Sequence, residues 1–198
     1  MPRIVCLDLE GVLVPEVWIA FAEATNIPEL RRTTRDEPDY DKLMLGRIEI
    51  LAKHKLSLVD IQNVIAKMDV LEGAREFMDR LRAQEQVIIL SDTFYQFAAP
   101  FMEKLGQPVL FCHDLIADEA GRVTGYRLRV ADSKRCAVEA LKAIGFRIAA
   151  AGDSYNDTSM LKAADRGVLF RCPESVAAEF PQFPRTMTYD ELWNALLN

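Results

Sequence analysis

Residues 3–13 read Arg3-Ile4-Val5-Cys6-Leu7-Asp8-Leu9-Glu10-Gly11-Val12-Leu13. The apolar run Arg3–Leu9 predicts a strand, and a turn-forming glycine follows it at once. Side chains two apart on a strand point the same way, so Asp8 and Glu10 would offer two carboxylates to one face. Burying both anions unpaired is costly, so either a turn cap or a binding site must account for them. Runs of similar character recur at Gln86–Leu90, Val109–Phe111, Arg147–Ala151 and Gly167–Phe170. Short apolar strands separated by helices are what a parallel sheet covered on both faces requires.

The intervening stretches have helical spacing. Ala74, Phe77, Met78 and Leu81 fall at i, i+3, i+4 and i+7, and Ala137, Leu141 and Ile144 repeat the stripe within a helix expected over Ser133–Gly145. The gap between the first two strands is too long for one crossover. Val17, Trp18, Phe21 and Ala22 make one stripe in it, and Ile61, Val64, Ile65 and Met68 make another. Ser57 and Asp60 match a capping box at the start of the second. The chain is therefore expected to be α/β, with a Rossmann-like parallel core formed by residues 1–14 and 71–198. A helical cap over residues 15–70 would follow the first strand and cover the sheet's C-terminal edge, where open α/β sheets bind ligands. Residues 115–128 predict a small β-hairpin turning near Gly121.

Half of the 198 residues are apolar, enough for a real core and too many for disorder. Lys and Arg number 24 against 30 Asp and Glu, a net charge of −6 without a basic tract, which argues against nucleic acid as a partner. No apolar run reaches the ~20 residues of a membrane span, and Asp8 interrupts the only N-terminal candidate for a signal core. Cys6, Cys112, Cys136 and Cys172 form no Cys-x-x-Cys pair. They suit a reducing compartment, so the protein is expected in the cytoplasm, as a monomer or homodimer.

Four polar clusters fall at strand ends or helix starts. Asp8 and Glu10 are the first. Ser91-Asp92-Thr93 follows the second strand, where a hydroxyl and free amides suit an anion, although an ordinary helix N-cap looks the same. Lys134 opens a helix, and alone it would be a solvated charge. Gly152-Asp153-Ser154-Tyr155-Asn156-Asp157 follows the fourth strand with two acids, an amide and a glycine that permits a tight turn. Converging on one pocket, these groups could hold Mg²⁺ through a few carboxylates and a substrate phosphate, with Lys134 and Ser91 meeting the phosphate oxygens.

With these motifs in this order, the whole chain resembles the haloacid dehalogenase-like phosphatase superfamily. Within it the chain resembles the phosphoserine phosphatases, including enzymes that also pass the phosphoryl group to homoserine. The resemblance implies a phosphorylated amino acid as substrate and Asp8 as nucleophile, forming an aspartyl-phosphate. It implies Glu10 as general acid and base, and Mg²⁺ on Asp8, Asp153 and the Glu10 carbonyl, with Asp157 orienting that site. Substrate contacts would come from Ser91, Asp92, Lys134 and Asn156, with Glu16 on the ammonium and Arg47 on the carboxylate of the amino acid. Two positions depart from the family. Glu10 stands where Asp is usual, and Asp92 stands where phosphoserine phosphatases commonly have glycine. A carboxylate facing phosphate would repel it, so Asp92 is expected to turn its side chain away. Rival readings are a phosphatase for another small metabolite, a dehalogenase, which would not need the late acidic motif, and a receiver-like signalling domain, which would not need the helical insert.

Overall fold

The computed structural model describes residues 1–33, 36–37 and 39–198. Its centre is β1 (Arg3–Leu7), flanked in parallel by β2 (Gln86–Phe94) and β5 (Arg147–Gly152). Beyond β2 lie β3 (Val109–Ala117) and the antiparallel β4 (Val123–Arg127). Beyond β5 lie β6 (Arg166–Phe170) and the short β7 (Arg185–Thr186). The order is thus β4-β3-β2-β1-β5-β6-β7. Alternation explains why both faces are buried. Val5 and Leu7 of β1 join one apolar cluster with Ala149 and Ala151 of β5, while Ile4 and Cys6 join the other with Ile148 and Ala150.

Helices complete the two faces. Phe77, Met78 and Leu81 of α4 (Ala74–Arg82) lie in the first cluster, along with Leu192 and Leu196 of α9 (Tyr189–Leu197). Val138 of α6 (Ser133–Ala143), Met160 and Leu161 of α7 (Thr158–Ala163), and Val176 of α8 (Glu174–Glu179) lie in the second. Each fully buried side chain of this size contributes about 1.5–3 kcal/mol.

Between β1 and α4 run α1 (Val17–Thr25), α2 (Tyr40–Lys53) and α3 (Leu58–Ile65). The chain returns beside its point of departure, where the Leu71 amide donates to the Leu13 carbonyl at 2.9 Å. Further contacts pin the segment to the body. Trp18 meets Phe97 of α5 (Tyr95–Lys104) edge-on at 5.7 Å, and Tyr40 meets Tyr126 of β4 likewise. The Leu58 amide also donates to the Gly121 carbonyl in the β3–β4 turn.

The strands differ in extent from their sequence expectations. β1 stops at Leu7, so Asp8 and Glu10 sit on the turn beyond it and their carboxylates do not share a strand face. β2 runs on to Phe94, so Ser91-Asp92-Thr93 belongs to the strand and the helix opens only at Tyr95. Leu90 pairs with Phe111 and Phe94 with His113, so extra residues of β2 bulge from the ladder at Ser91–Thr93. Bulges of this kind re-aim side chains beside active sites. The run Val109–Phe111 and the hairpin's first arm are one continuous strand. Met68 lies past the end of α3, and α6 stops at Ala143 before Gly145, whose φ is 95°.

No helix of the described residues is long and apolar enough to cross a membrane. The four cysteines are free, and burial pushes the Cys6 thiol up to about 12, which makes it an inert core group. Ser57 and Asp60 do form a capping box: the Ser57 amide donates to the Asp60 carboxylate at 2.7 Å, and Ser57 Oγ accepts from the Asp60 amide at 3.4 Å. Ser57→Ala is therefore expected to lower stability by about 1 kcal/mol. A urea titration should show a lower midpoint with an unchanged slope.

Candidate active site

Asp8, the Ser91–Thr93 bulge, the start of α6 and the loop after β5 all lie at the C-terminal edge of the sheet. Lys134 joins them. Its Nζ lies 2.7 Å from Asp157, 2.9 Å from Asp8 and 3.6 Å from Asp92, and it is almost wholly buried. Burial opposes the ammonium charge, but Asp157, Asp8 and Asp92 carry its pKa well above the ordinary lysine value. For Asp8 the balance goes the other way. Burial, together with Asp157 and Asp153, raises its carboxyl well above the usual range despite Lys134. The Leu9 amide also donates to Asp8 Oδ1 at 2.8 Å.

The loop after β5 is built around Asp157. Its Oδ2 accepts from the amides of Asp153 and Ser154, at 3.0 and 3.1 Å, and its Oδ1 takes the Lys134 contact. Gly152 makes this possible, because a Cβ there would stand 2.3 Å from the Asp157 Cβ. Gly11, at φ 79°, brings the first turn against the same loop; a Cβ on it would lie 2.4 Å from the Asp153 carboxyl carbon. The two acidic motifs are therefore in contact, and only glycine fits between them.

Carboxylate oxygens of Asp8, Asp153 and Asp157 lie within 4.8 Å of one another. One ammonium cannot balance Asp8, Asp92 and Asp157, and Asp153 adds a further negative charge. This hard-oxygen, excess-anion cluster fits a small divalent cation. Asp157 has both oxygens engaged by Lys134 and backbone amides, which suits it to holding the cluster in place rather than to direct contact with an ion.

The other sequence-derived residues line the same cavity. Ser91 Oγ accepts from the Thr93 amide at 3.2 Å, so its own proton remains available to an anion. Glu10 accepts from the Val17 amide at 3.0 Å and from the Thr93 side chain. Burial, with Glu16 nearby, raises its carboxyl to about 7. Asn156 reaches Asp92 with its amide at 3.0 Å, and Asp92 also meets His113 Nε2 at 3.5 Å. Burial would raise Asp92, but Lys134, His113 and Asn156 hold it well below the usual carboxylate range.

Arg47, which in isolation reads as a surface charge, is buried. Its guanidinium stacks 4.5 Å over the Trp18 ring and donates to the Arg32 carbonyl at 2.7 Å, while its Nε finds no hydrogen-bond partner among the described residues. Burial lowers its pKa to about 10 against the opposing pull of Glu10, Tyr40 and Glu16. Glu16 lines the cavity with it. Sequence reasoning missed Tyr40 and His113, and it placed Thr93 in the second polar cluster without giving it a role of its own. It placed Trp18 in a core stripe, yet the same ring forms a wall of the cavity.

Removing the ammonium tests how the site is held. Lys134→Met keeps the length of the side chain but leaves buried carboxylates uncompensated, so it is expected to cost about 3–5 kcal/mol at pH 8. Asp8 has a folded pKa above its unfolded one. The folded state of the variant therefore gains protons, and stability relative to the unfolded chain, as pH falls through that raised value. Urea unfolding at pH 8 and pH 5 should show the deficit shrinking at the lower pH.

A sequence profile described as haloacid dehalogenase-like hydrolase matches residues 2–165. A Pseudomonas syringae pv. tomato protein named phosphoserine phosphatase is 61% identical over 190 residues, covering 96% of this chain and 80% of its own length. A Pseudomonas aeruginosa protein named phosphoserine phosphatase ThrH is 59% identical, covering 96% of this chain and 93% of its own. A solved structure described as the phospho-aspartyl intermediate analogue of phosphoserine phosphatase superposes with a TM-score of 0.79 over 98% of both chains. At 20% identity it bears on the fold alone. The matched span contains Asp8 and Glu10, the Ser91 bulge, Lys134 and the Gly152–Asp157 loop, and this chain belongs to the haloacid dehalogenase-like hydrolases.

Proposed function

We propose that this chain is a Mg²⁺-dependent phosphomonoesterase that hydrolyses phosphoserine through an aspartyl-phosphate on Asp8. The observation that carries the proposal is Arg47: a buried guanidinium whose Nε finds no partner among the described residues, sharing one cavity with Glu16 and Asp8. A carboxylate suits the guanidinium, an ammonium suits Glu16, and a phosphate suits Lys134 and Ser91. Phosphoserine carries all three groups, and a sugar phosphate carries only the last. The names of the two Pseudomonas relatives agree. Residues 15–70 act as a cap that supplies the head-group contacts. The negative charge and the free cysteines fit a cytoplasmic enzyme of small metabolites, without nucleic-acid or membrane partners.

The Asp8 carboxylate attacks phosphorus in line, and the bond to the serine oxygen breaks as Glu10 gives that oxygen its proton. Water then passes a proton to the Glu10 carboxylate and attacks phosphorus, breaking the bond to Asp8 and releasing phosphate. Ser91 and Lys134 hold the phosphate oxygens through both steps, and Asn156 borders the same space. Asp8, Asp153 and the Glu10 carbonyl would hold Mg²⁺, which when bound offsets the charge of the phosphoryl group. A pKa of about 7 populates both forms of Glu10 at neutral pH, as its two duties require.

Asp8→Asn is the direct test. It should abolish phosphate release from phosphoserine while leaving the circular dichroism spectrum unchanged, because an amide is a far poorer nucleophile. Turnover near wild type by the folded variant would sink the mechanism.

Glu10 predicts a pH dependence. Its acid form is lost as pH rises through about 7, so kcat/KM for phosphoserine should fall on that side. p-Nitrophenyl phosphate, whose leaving group departs unprotonated, should lack this limb. Glu10→Gln should remove the limb and slow phosphoserine about 10²- to 10⁴-fold. The same limb surviving in the variant would assign the titration to another group.

Arg47→Ala should reduce kcat/KM for phosphoserine roughly 30-fold or more, the effect of about 2–5 kcal/mol from a desolvated charge contact, and spare p-nitrophenyl phosphate. Homoserine carries the same head group and could intercept the phosphoenzyme from the same contacts. Mass spectrometry of phosphoserine with homoserine should then show O-phosphohomoserine with the parent enzyme and its loss in Arg47→Ala.

A further inference from the structure

Asp92 poses a problem that the reaction as described does not solve. It follows Ser91 directly, and it shares with Asp8 the ammonium of Lys134, so a phosphoryl group on Asp8 arrives beside a second carboxylate. Its side chain is one-third exposed and lines two cavities, so polar contacts matter for where it points. Lys134 and Asn156 both take Oδ2, at 3.6 and 3.0 Å. Oδ1 has His113, with Nε2 at 3.5 Å.

His113 is suited to this task. It is 2% exposed and sits on β3 just past the point where β2 bulges out of the ladder. Its Nδ1 accepts from the Arg129 amide at 3.2 Å, which leaves the proton to Nε2, the nitrogen 3.5 Å from Asp92 Oδ1. The ring is thus fixed at one nitrogen by backbone and presents a single donor at the other.

We propose that His113 is a positioning residue for the phosphate site: its Nε2–H holds Oδ1 of Asp92 and keeps that carboxylate turned from the space the phosphate enters. Without this contact Oδ1 is free to rotate into the cavity that contains Asp8 and Ser91. There it opposes an incoming phosphate and competes with it for Lys134. The proposal rests on the pocket being a phosphate site, but not on phosphoserine being the substrate.

The test uses p-nitrophenyl phosphate as substrate and inorganic phosphate as inhibitor, so a wrong amino-acid assignment leaves it intact. His113→Asn keeps an acceptor near the Nδ1 position for the Arg129 amide and removes only the donor. It should raise KM for the aryl phosphate and the inhibition constant of phosphate together, about 10- to 100-fold if the effect matches that of outer partners of metal ligands. Most of kcat should remain. His113→Gln, which returns an N–H donor near the Nε2 position, should recover much of the loss. Adding Asp92→Asn to His113→Asn should also recover phosphate binding, since no charge is left to restrain.

Unaltered phosphate inhibition in His113→Asn would overturn the proposal. So would a double variant no better than His113→Asn, which would mean that Asp92 does not transmit the effect. If His113→Asn does not fold, ¹⁵N NMR of the parent protein decides: a proton on Nε2 with Nδ1 bare is required, and a proton on Nδ1 would refute the arrangement.

Discussion

Everything at the sheet's edge depends on one buried ammonium. Lys134 meets Asp8 after β1, Asp92 in the β2 bulge and Asp157 after β5, so three segments are fastened at a single atom. Taking a lone charge of this kind out of water would cost several kcal/mol, and one partner seldom offsets that. Three partners carry its pKa above the ordinary lysine value; Asp157 is in turn held by the amides of Asp153 and Ser154, while burial keeps the Asp8 carboxyl raised despite Lys134. The apolar clusters on the two sheet faces fix the strands. Lys134 fixes the groups that project beyond them. The site still keeps more negative charge than one ammonium neutralises, an imbalance that a divalent cation would reduce.

A second set of contacts belongs to the helical segment between β1 and α4. Its Arg47 is stacked on Trp18 and deprived of water, with a pKa lowered to about 10. Natural proteins keep such poorly satisfied groups where function requires them, at a cost in stability. The same segment reaches the chemistry directly. The first amide of α1, Val17 N–H, donates to Glu10, and the Tyr40 hydroxyl donates to the Asp92 carbonyl. The setting of Arg47 and the protonation state of Glu10 are therefore governed by one piece of chain. Seating that piece on the sheet edge assembles both.

The sheet and the four polar clusters could be read from the sequence because local rules decide them. Strand alternation, the Ser57–Asp60 cap and the 115–128 hairpin each depend on neighbours a few residues apart. The extents of strands were less legible. Nothing in Val87–Leu90 signals that β2 continues through Ser91, because the continuation is a bulge whose geometry is fixed by pairing with Phe111 and His113 on another strand. Arg47, Tyr40 and His113 were least legible. Each owes its role to a partner well separated in the chain, Trp18, Asp92 and the Arg129 amide respectively, and a lone charged or aromatic residue on a helix or strand gives no hint of that. Lys134 would have been equally silent without the other three motifs to give it a place.

The unusual Glu at position 10 finds a physical reason in the turn it occupies. Gly11 must take a positive φ and lie against Asp153, which fixes the backbone of the turn tightly. From that backbone, the Glu10 carboxylate reaches the Val17 amide at 3.0 Å and the Thr93 side chain. An aspartate is shorter by one methylene, about 1.5 Å, and would fall short of the helix start from the same anchor. The longer side chain therefore trades the compact geometry usual in the family for a bond to the first amide of α1, where the partial positive charge of a helix N-terminus favours a carboxylate. Burial and Glu16 push the same carboxyl toward its acid form. The two influences oppose each other, and their balance leaves Glu10 near 7, where one group can serve first as acid and then as base.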